Sequence, residues 1–193
     1  MAKAPEFLAN MSKEYIREGL QEARHPVSIA LFGTENFFNG AAIVRSAHQF
    51  LVKEVILVDC PKIYEKATMG CHKWENITHM TLGDFCYRHS IFSSMDNRPL
   101  VICERRADLP SENLMDFKYP ENPILCFGNE KFGMPEEILV LAKQLKDNLG
   151  DIQPGCGSVV SIPTYGILND LNLANAASII LYDWTLKHYR GAK

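Results

Sequence analysis

Three segments of the sequence hold polar residues that the packing of a hydrophobic core does not explain. They are residues 36–45, 127–135 and 161–172, and each joins a predicted strand to a predicted helix. In open α/β sheets, ligands bind outside the carboxyl ends of the parallel strands. From spacing alone, each segment is therefore either an ordinary turn at a strand end or one wall of a ligand site.

Several residues in these segments also have an ordinary structural role. Asn39 lies where the N-cap of a helix belongs, and Asp170 or Asn169 is placed to cap the last helix. Arg45 lies two turns into its helix and off the apolar stripe, where a solvated charge is common. Gly128 follows a buried strand and permits a tight turn.

Other kinds of chemistry are not supported by the spacing of the residues. The run Gly155-Cys-Gly157-Ser matches neither the dinucleotide-binding fingerprint nor the P-loop. No Gly-x-Ser-x-Gly or Cys-His arrangement indicates acyl transfer. The 6 cysteines include no CxxC pair, and no nearby histidine completes a zinc spacing. We therefore predict scattered buried thiols and no metal site.

The elements that position these segments alternate between strands and helices. Short, nearly continuous apolar runs are typical of strands buried on both faces, and they occupy residues 27–32, 54–59, 99–103, 123–127 and 158–162. Helical patterns cover residues 12–24, with Ser12 as the N-cap, residues 40–51, a segment opened by Pro135, and residues 171–189. The last helix is apolar nearly all round, which places it either centrally in the core or at a subunit interface. This order predicts an α/β fold: a mostly parallel sheet with helices on both faces.

Composition sets the class of protein. A chain of 193 residues forms one domain, and 47% apolar with 22% charged residues excludes a disordered chain. No apolar run is long enough for a membrane helix. The early acidic residues and the unpaired cysteines favour a reducing compartment, which we take to be the cytoplasm, with an organelle left open. A net charge of −3 provides no overall basic field, so any RNA contact must come from a local patch or a dimer groove.

Taken together, the three segments resemble motifs one, two and three of the SpoU/TrmH family of RNA ribose 2′-O-methyltransferases, in the SPOUT superfamily. Motif one resembles the run Asn39-Gly40-Ala-Ala-Ile-Val-Arg45, and motif two resembles Phe127-Gly128-Asn129-Glu130 through Gly133. Motif three resembles Ser161-Ile162-Pro163 followed by Asp170-Leu171-Asn172 and an Ala-rich helix. The likeness covers about residues 27 to 187.

The resemblance implies a fold and a cofactor. The fold is a parallel α/β sheet whose C-terminal segment threads a loop into a trefoil knot, an exception to the rule against knotted chains. The domain would span residues 27–193, after an N-terminal helical extension of residues 1–26. The protein would be a homodimer that binds S-adenosylmethionine in the knot. The matching cofactor-binding positions are Cys103, Gly128, Ile162, Asp170 and Leu171.

The resemblance also implies catalytic roles. Arg45 would bind the ribose and its neighbouring phosphate, and in the dimer it would face the cofactor bound to the partner chain. Binding phosphate and orienting the hydroxyl suit a guanidinium better than acting as a base, because it barely deprotonates. Asn39 and Glu130 would hold Arg45 and shape the pocket, and Asn172 would support the cofactor loop and the substrate.

The sequence departs from the family pattern at three positions. Asp170 replaces the usual Ser, Thr164 replaces Met, and Leu51 replaces a helix-ending Gly. The expected activity is methyl transfer to a ribose 2′-hydroxyl of tRNA or rRNA. Because of Asp170, a weak or inactive knotted RNA-binding or assembly factor that keeps the cofactor pocket is the main alternative. A methyltransferase acting on a small molecule is a third hypothesis, prompted by the acidic net charge.

Overall fold

The computed structural model describes residues 11–90, 93, 95–167 and 170–189. The helices are α1 (Lys13–Ala23), α2 (Phe37–Gln49), α3 (Leu82–Arg88), α4 (Glu136–Leu149) and α5 (Leu173–His188). The strands are β1 (His25–Phe32), β2 (Val52–Val58), β3 (Ile77–Met80), β4 (Leu100–Cys103), β5 (Glu112–Asn113), β6 (Ile124–Phe127) and β7 (Val159–Ser161). Two short 3₁₀ turns, Glu65–Thr68 and Cys71–Lys73, connect β2 to β3.

The strands form one seven-stranded sheet in the order β3-β2-β1-β6-β4-β7-β5. Every pair of neighbouring strands is parallel. The central strand β1 pairs Leu31 with Leu57 of β2 on one side and with Phe127 of β6 on the other. The predicted α/β fold with a mostly parallel sheet is confirmed. Within the described residues, no helix is long and apolar enough to cross a membrane.

Alternating side chains of the strands pack into two separate layers of the hydrophobic core, one on each face of the sheet. Ile29 and Leu31 of β1 pack on the side of α2 and α5, together with the buried Trp184. Ala30 and Phe32 point to the opposite face, toward α3 and α4. Because both faces of the sheet are covered by helices, its central strands are apolar on both sides, as their sequences predict.

The helix caps correct two of our predictions. Asn36, not Asn39, is the N-cap of α2, and its side chain accepts hydrogen bonds from the amides of Phe38 and Asn39. Asn172, not Asp170, is the N-cap of α5; Asn169 lies outside the described residues. In each case a second Asn or Asp lies two or three positions away, and sequence alone does not separate such candidates. The Ser12 cap of α1 is confirmed.

Three short elements lie where the sequence predicted none. They are β3, α3 and β5, and the last is only two residues long. α3 and β5 lie in residues 82–98 and 104–122, two stretches whose sequences show no regular helical or strand pattern. All three are short and mixed in sequence, and β3 and β5 depend on pairing with distant strands rather than on local pattern.

The last helix has one buried face and one exposed face. Ala177, Leu181 and Trp184 are almost fully buried against the sheet. On the other side, Ile179, Tyr182 and Leu186 are 39%, 57% and 40% exposed. One face of the helix thus packs in the core, which is one of the two predicted placements, and the other face leaves an apolar stripe on the surface.

Candidate functional site

The predicted site residues meet at one edge of the sheet. A cavity of about 460 Å³ opens at the carboxyl ends of β4, β6 and β7. Eight of the nine residues predicted for the site line it: Asn39, Cys103, Gly128, Glu130, Ile162, Asp170, Leu171 and Asn172. Its volume falls within the range of small-molecule sites in proteins.

A chain of hydrogen bonds joins the three motif segments at the wall of this cavity. The Asn172 amide Nδ2 donates to Asn39 Oδ1 at 3.0 Å, and Asn39 Nδ2 donates to Glu130 Oε1 at 2.8 Å. Asn39 is almost buried, whereas Glu130 and Asn172 are exposed. The two amides are thus engaged within the protein, and they orient the Glu130 carboxylate at the cavity wall with its second oxygen, Oε2, outside the network.

Each member of this network is held by its own element. Asn39 lies in the first turn of α2, where the cap on Asn36 fixes the helix start. Asn172 caps α5 through Oδ1, which accepts from Ala174 N at 3.0 Å and from Asn175 N at 3.3 Å, so its Nδ2 is left to reach Asn39. The same side chain therefore starts a helix and ties the motif-three segment to motif one.

The motif-two turn has no room for a larger residue at position 128. A Cβ atom placed on Gly128 would lie 2.4 Å from the backbone of Gly133 and Met134. Reciprocal hydrogen bonds of 2.9 Å between Asn129 and Gly133 close the turn, and Asn129 Oδ1 accepts from the amides of Lys131 and Phe132. Steric contact within the turn is sufficient to require glycine at this position.

Sequence reasoning missed two residues of the cavity that directly follow β4. Glu104 accepts a hydrogen bond from Met134 N at 3.0 Å. Burial raises the pKa of the Glu104 carboxyl, and the nearby Asp170 carboxylate raises it further. Arg105 donates to the hydroxyl of Thr164. The only available signal was their position directly after a buried strand. The resemblance identified Cys103 at the end of this strand and did not extend to the two residues that follow.

Cys103 lies at the floor of the cavity, at the end of β4. Burial raises the pKa of its thiol well above the ordinary value. A neutral thiol is a weak nucleophile, so this side chain contributes shape rather than covalent chemistry. In the described part of the chain, no group of three or more His, Cys, Asp or Glu side chains is arranged to hold a metal ion.

Comparison with known proteins identifies the family. The model of the SpoU rRNA Methylase family matches residues 26–147, more than half of the chain. The chain belongs to this family.

Individual relatives agree with this assignment. A tRNA (guanosine(18)-2′-O)-methyltransferase from Thermus thermophilus is 23% identical over 87% of this chain and 78% of its own length. The corresponding protein from Aquifex aeolicus is 26% identical over 87% of this chain and 72% of its own.

Solved structures share the fold. An AdoMet-bound rRNA methyltransferase from Sinorhizobium meliloti has a TM-score of 0.68 at 23% identity and covers 88% of this chain. The present chain spans 60% of that longer protein. A TrmH/SpoU tRNA modifying enzyme from A. aeolicus has a TM-score of 0.67 at 23% identity, covering 88% of this chain and 79% of its own.

Arg45, the ninth predicted residue, is not part of this SpoU-family cavity. It lies on the exposed surface of α2, and its charge acts on Cys71, in the 3₁₀ turn before β3. Across the described residues, Arg45 forms no hydrogen bond or ion pair with Asn39 or Glu130. Within one chain, Asn39 and Glu130 bond to each other and the structure does not bring Arg45 to them, so their holding of Arg45 stays a prediction.

Several basic residues that could contribute to an RNA-binding patch are engaged in ion pairs. Arg24 forms a buried ion pair with Glu75 at 2.7 Å, and Arg98 pairs with Glu54 and Asp96. Arg106 and Lys187 also pair with neighbouring aspartates. These cations stabilise the fold or neutralise local acids, so fewer are available to bind phosphate than the sequence suggested.

The cavity has the chemical character that S-adenosylmethionine requires. The cofactor carries positive charge on its sulfonium and amino groups, and the carboxylates of Glu104 and Asp170 border the cavity. Apolar side chains from Ile162, Leu171 and Ile180 line the remainder. The residues present therefore fit the cofactor by volume, charge and polarity.

Proposed function

We propose that this chain transfers a methyl group from S-adenosylmethionine to a ribose 2′-hydroxyl of tRNA or rRNA. The observation that carries the proposal is the Asn172–Asn39–Glu130 network, which joins all three motif segments at the wall of a cavity of suitable size. Family membership supports the same activity, since its solved members include AdoMet-bound methyltransferases of similar fold.

The cavity residues divide the work of cofactor binding. Backbone groups of Gly128, Ile162 and Leu171 would contact the cofactor, and Cys103 would form the floor. Asp170 would attract its positive charge, as would any ionised fraction of Glu104. When bound, the cofactor supplies a sulfonium-activated methyl group, so the protein mainly has to align the attacking oxygen and let its proton leave.

The substrate side of the site would be built by Arg45 together with the polar network. A guanidinium donates hydrogen bonds in a planar fork that matches phosphate oxygens. Arg45 would grip the phosphate and orient the hydroxyl, and Asn39, Glu130 and Asn172 would shape the pocket in which the ribose sits.

Arg45 does not line the cavity of its own chain, but in a homodimer it would reach the cavity of the partner chain. Ile179, Tyr182 and Leu186 form an exposed apolar stripe on α5, a face that a second copy would cover. Ser178 on this helix bonds Ser46 of α2 at 2.8 Å, so the stripe and Arg45 lie on adjacent helices. We include in the proposal that Arg45 acts on the cofactor of the partner chain.

The trefoil knot, the domain limits and the location belong to the same proposal. The knot would be made by residues 161–172 on their way from β7 to α5. Residues 27–193 would form the methyltransferase domain and residues 1–26 an extension, since α1 buries no side chain of its own. The 6 free cysteines suit the reducing cytoplasm, and the tRNA-modifying relatives support a tRNA substrate.

The test combines three measurements on the purified full-length chain. Isothermal calorimetry should show S-adenosylmethionine binding, and radiolabelled methyl groups should appear in total RNA from cells that lack the protein. Ribonuclease treatment of that RNA beforehand should abolish the transfer. Binding without transfer would favour the assembly-factor alternative, and transfer that survives ribonuclease would favour a small-molecule substrate.

A further inference from the structure

Two large aromatic side chains that neighbour the polar network in sequence are exposed. Phe38 is 65% exposed and Phe132 is 69% exposed, and neither packs in either layer of the core. Phe38 directly precedes Asn39, and Phe132 follows Glu130 by two residues. Because Asn39 and Glu130 are hydrogen-bonded at 2.8 Å, both rings are carried by segments that meet at the cavity wall.

The Phe38 ring belongs to a small aromatic surface. Tyr64, itself 43% exposed, meets it edge-to-face with ring centroids 5.4 Å apart. The Phe38 amide donates to Asn36 Oδ1 at 3.0 Å, which fixes its backbone at the start of α2. The edge-to-face contact with Tyr64 supports the ring from one side.

The Phe132 ring is presented by the rigid motif-two turn. Its amide donates to Asn129 Oδ1 at 3.0 Å, and the turn is closed by the bonds between Asn129 and Gly133. Lys131 Nζ lies 5.0 Å from the centroid of the Phe132 ring. A fixed backbone lowers the entropy that the ring would lose on binding a partner.

Cations flank both rings. Lys62 and Lys66, two residues before and two after Tyr64 in the sequence, are exposed, and Lys131 Nζ lies over the Phe132 ring. The acid closest to Lys66 in sequence, Glu65, lies 3.6 Å from His72. Exposed aromatic rings beside lysines are the combination that binds single-stranded nucleic acid, in which bases stack on rings and cations contact phosphates.

We propose that Phe38, supported by Tyr64, and Phe132 are stacking platforms for unpaired RNA bases that flank the target ribose. The inference rests on the proposed function and names its substrate class as single-stranded or looped RNA. A duplex keeps its bases stacked on one another and offers these rings nothing to bind. The two platforms would hold the strand across the cavity and so compensate for the absence of an overall basic field in a chain of net charge −3.

The experiment measures RNA affinity by fluorescence anisotropy with the full-length protein. The probes are fluorescein-labelled ten-nucleotide oligoadenylate, oligouridylate and an RNA duplex of equal length. Phe38→Ala and Phe132→Ala should each weaken oligoadenylate binding by roughly 5- to 100-fold, the loss of one stacked base. Phe38→Trp should retain affinity, since a larger ring still stacks. Tyr87→Ala is the matched control, because Tyr87 is 71% exposed on α3, away from the cavity.

Separate readouts keep this inference distinct from the proposed function. Cofactor binding measured by calorimetry should stay within about twofold in every variant, because none of these rings lines the cavity. Unchanged oligoadenylate affinity in both alanine variants, or equal affinity of the wild type for duplex, would overturn the stacking role while methyl transfer persists. Loss of dimers on sedimentation of Phe38→Ala would also overturn it, by assigning the ring to a protein interface.

Discussion

The two ends of α2 are both held by polar networks, and these networks differ in charge and in burial. At the N-terminal end, Asn39 bridges Glu130 and Asn172 beside an open cavity. At the C-terminal end, Glu75 accepts from Arg24 and contacts His48 Nδ1, each at 2.7 Å. The carboxylate of Glu75 is only 2% exposed, whereas Glu130 is open to solvent.

The difference separates a binding surface from a structural anchor. Arg24 also donates hydrogen bonds to the carbonyls of Val52 and Trp74. The side chains of Arg24 and Glu75 are only 4% and 2% exposed, so this ion pair offers almost no surface to a ligand. The amide network keeps exposed polar atoms at the cavity. We therefore expect changes at the two ends to alter different quantities, activity at one and stability at the other.

The largest expected effect lies between the two ends, at Arg45. Arg45→Ala should lower methyl transfer to RNA by at least about a hundredfold, because the phosphate and the ribose lose their oriented donor. Cofactor binding should stay within a few fold, as the side chain lies outside the cavity. Lys143→Ala, an exposed cation on α4, is the control. Intact transfer by the Arg45 variant would refute its assigned role.

Breaking the ionic network should cost stability instead. Glu75→Gln leaves the Arg24 guanidinium buried without its counter-charge, and such losses amount to about 3–5 kcal/mol. Urea denaturation measures the free energy of unfolding. Glu65→Gln removes a carboxylate that is 73% exposed and should change it by less than about 0.5 kcal/mol. If Glu75→Gln kept its stability but lost methyl transfer, the contrast between the two ends would be wrong.

The amide network should show the opposite behaviour. Asn39→Ala should reduce methyl transfer by roughly 10- to 100-fold through misplacement of Glu130 and Asn172. Its free energy of unfolding should fall by only about 1 kcal/mol, since water can reach the partners it leaves. Asn148→Ala removes an exposed amide that bonds Gln144 O on α4, and it should leave transfer unchanged. Steady-state methyl transfer and urea denaturation, measured on the same samples, show whether Asn39→Ala lowers activity more than stability.

The smallest effect is expected at Asp170, where a carboxylate stands in place of the family's usual Ser. Asp170→Ser should keep transfer within a few fold or raise it, because helix α5 is capped by Asn172 and does not depend on this residue. The change also removes a charge that raises the pKa of Glu104. A complete loss of activity would show that Asp170 has a task of its own.

The fold was largely predictable because its signals are local. The buried strands β1, β2, β4, β6 and β7 are short apolar runs, and the structure places their ends within two residues of the prediction. The edge strands β3 and β5 were missed because their side chains are half-exposed or exposed and their hydrogen bonds come from strands far away in sequence. Helix α3 was missed because it is only seven residues long, too short for a clear helical pattern.

The sequence predicted which residues line the cavity better than it predicted the hydrogen bonds between them; their functional roles stay predictions. Motif likeness placed eight residues that do line one cavity, yet it assigned Asn39 and Glu130 to Arg45 rather than to each other. The partners of Asn39 lie 91 and 133 residues away, and Glu75 lies 51 residues from Arg24. Such pairings depend on how helices pack over the sheet, which no local pattern encodes.

The amide bridge between Asn172 and Asn39 has a consequence for biosynthesis. Asn39 is synthesised early, just after β1, whereas Asn172 is synthesised only after all seven strands of the sheet. Until α5 docks, Asn39 lacks one neighbour and the cavity lacks a wall. If the proposed function is right, the site is completed only when α5 docks, and methyl transfer would begin only with the finished fold.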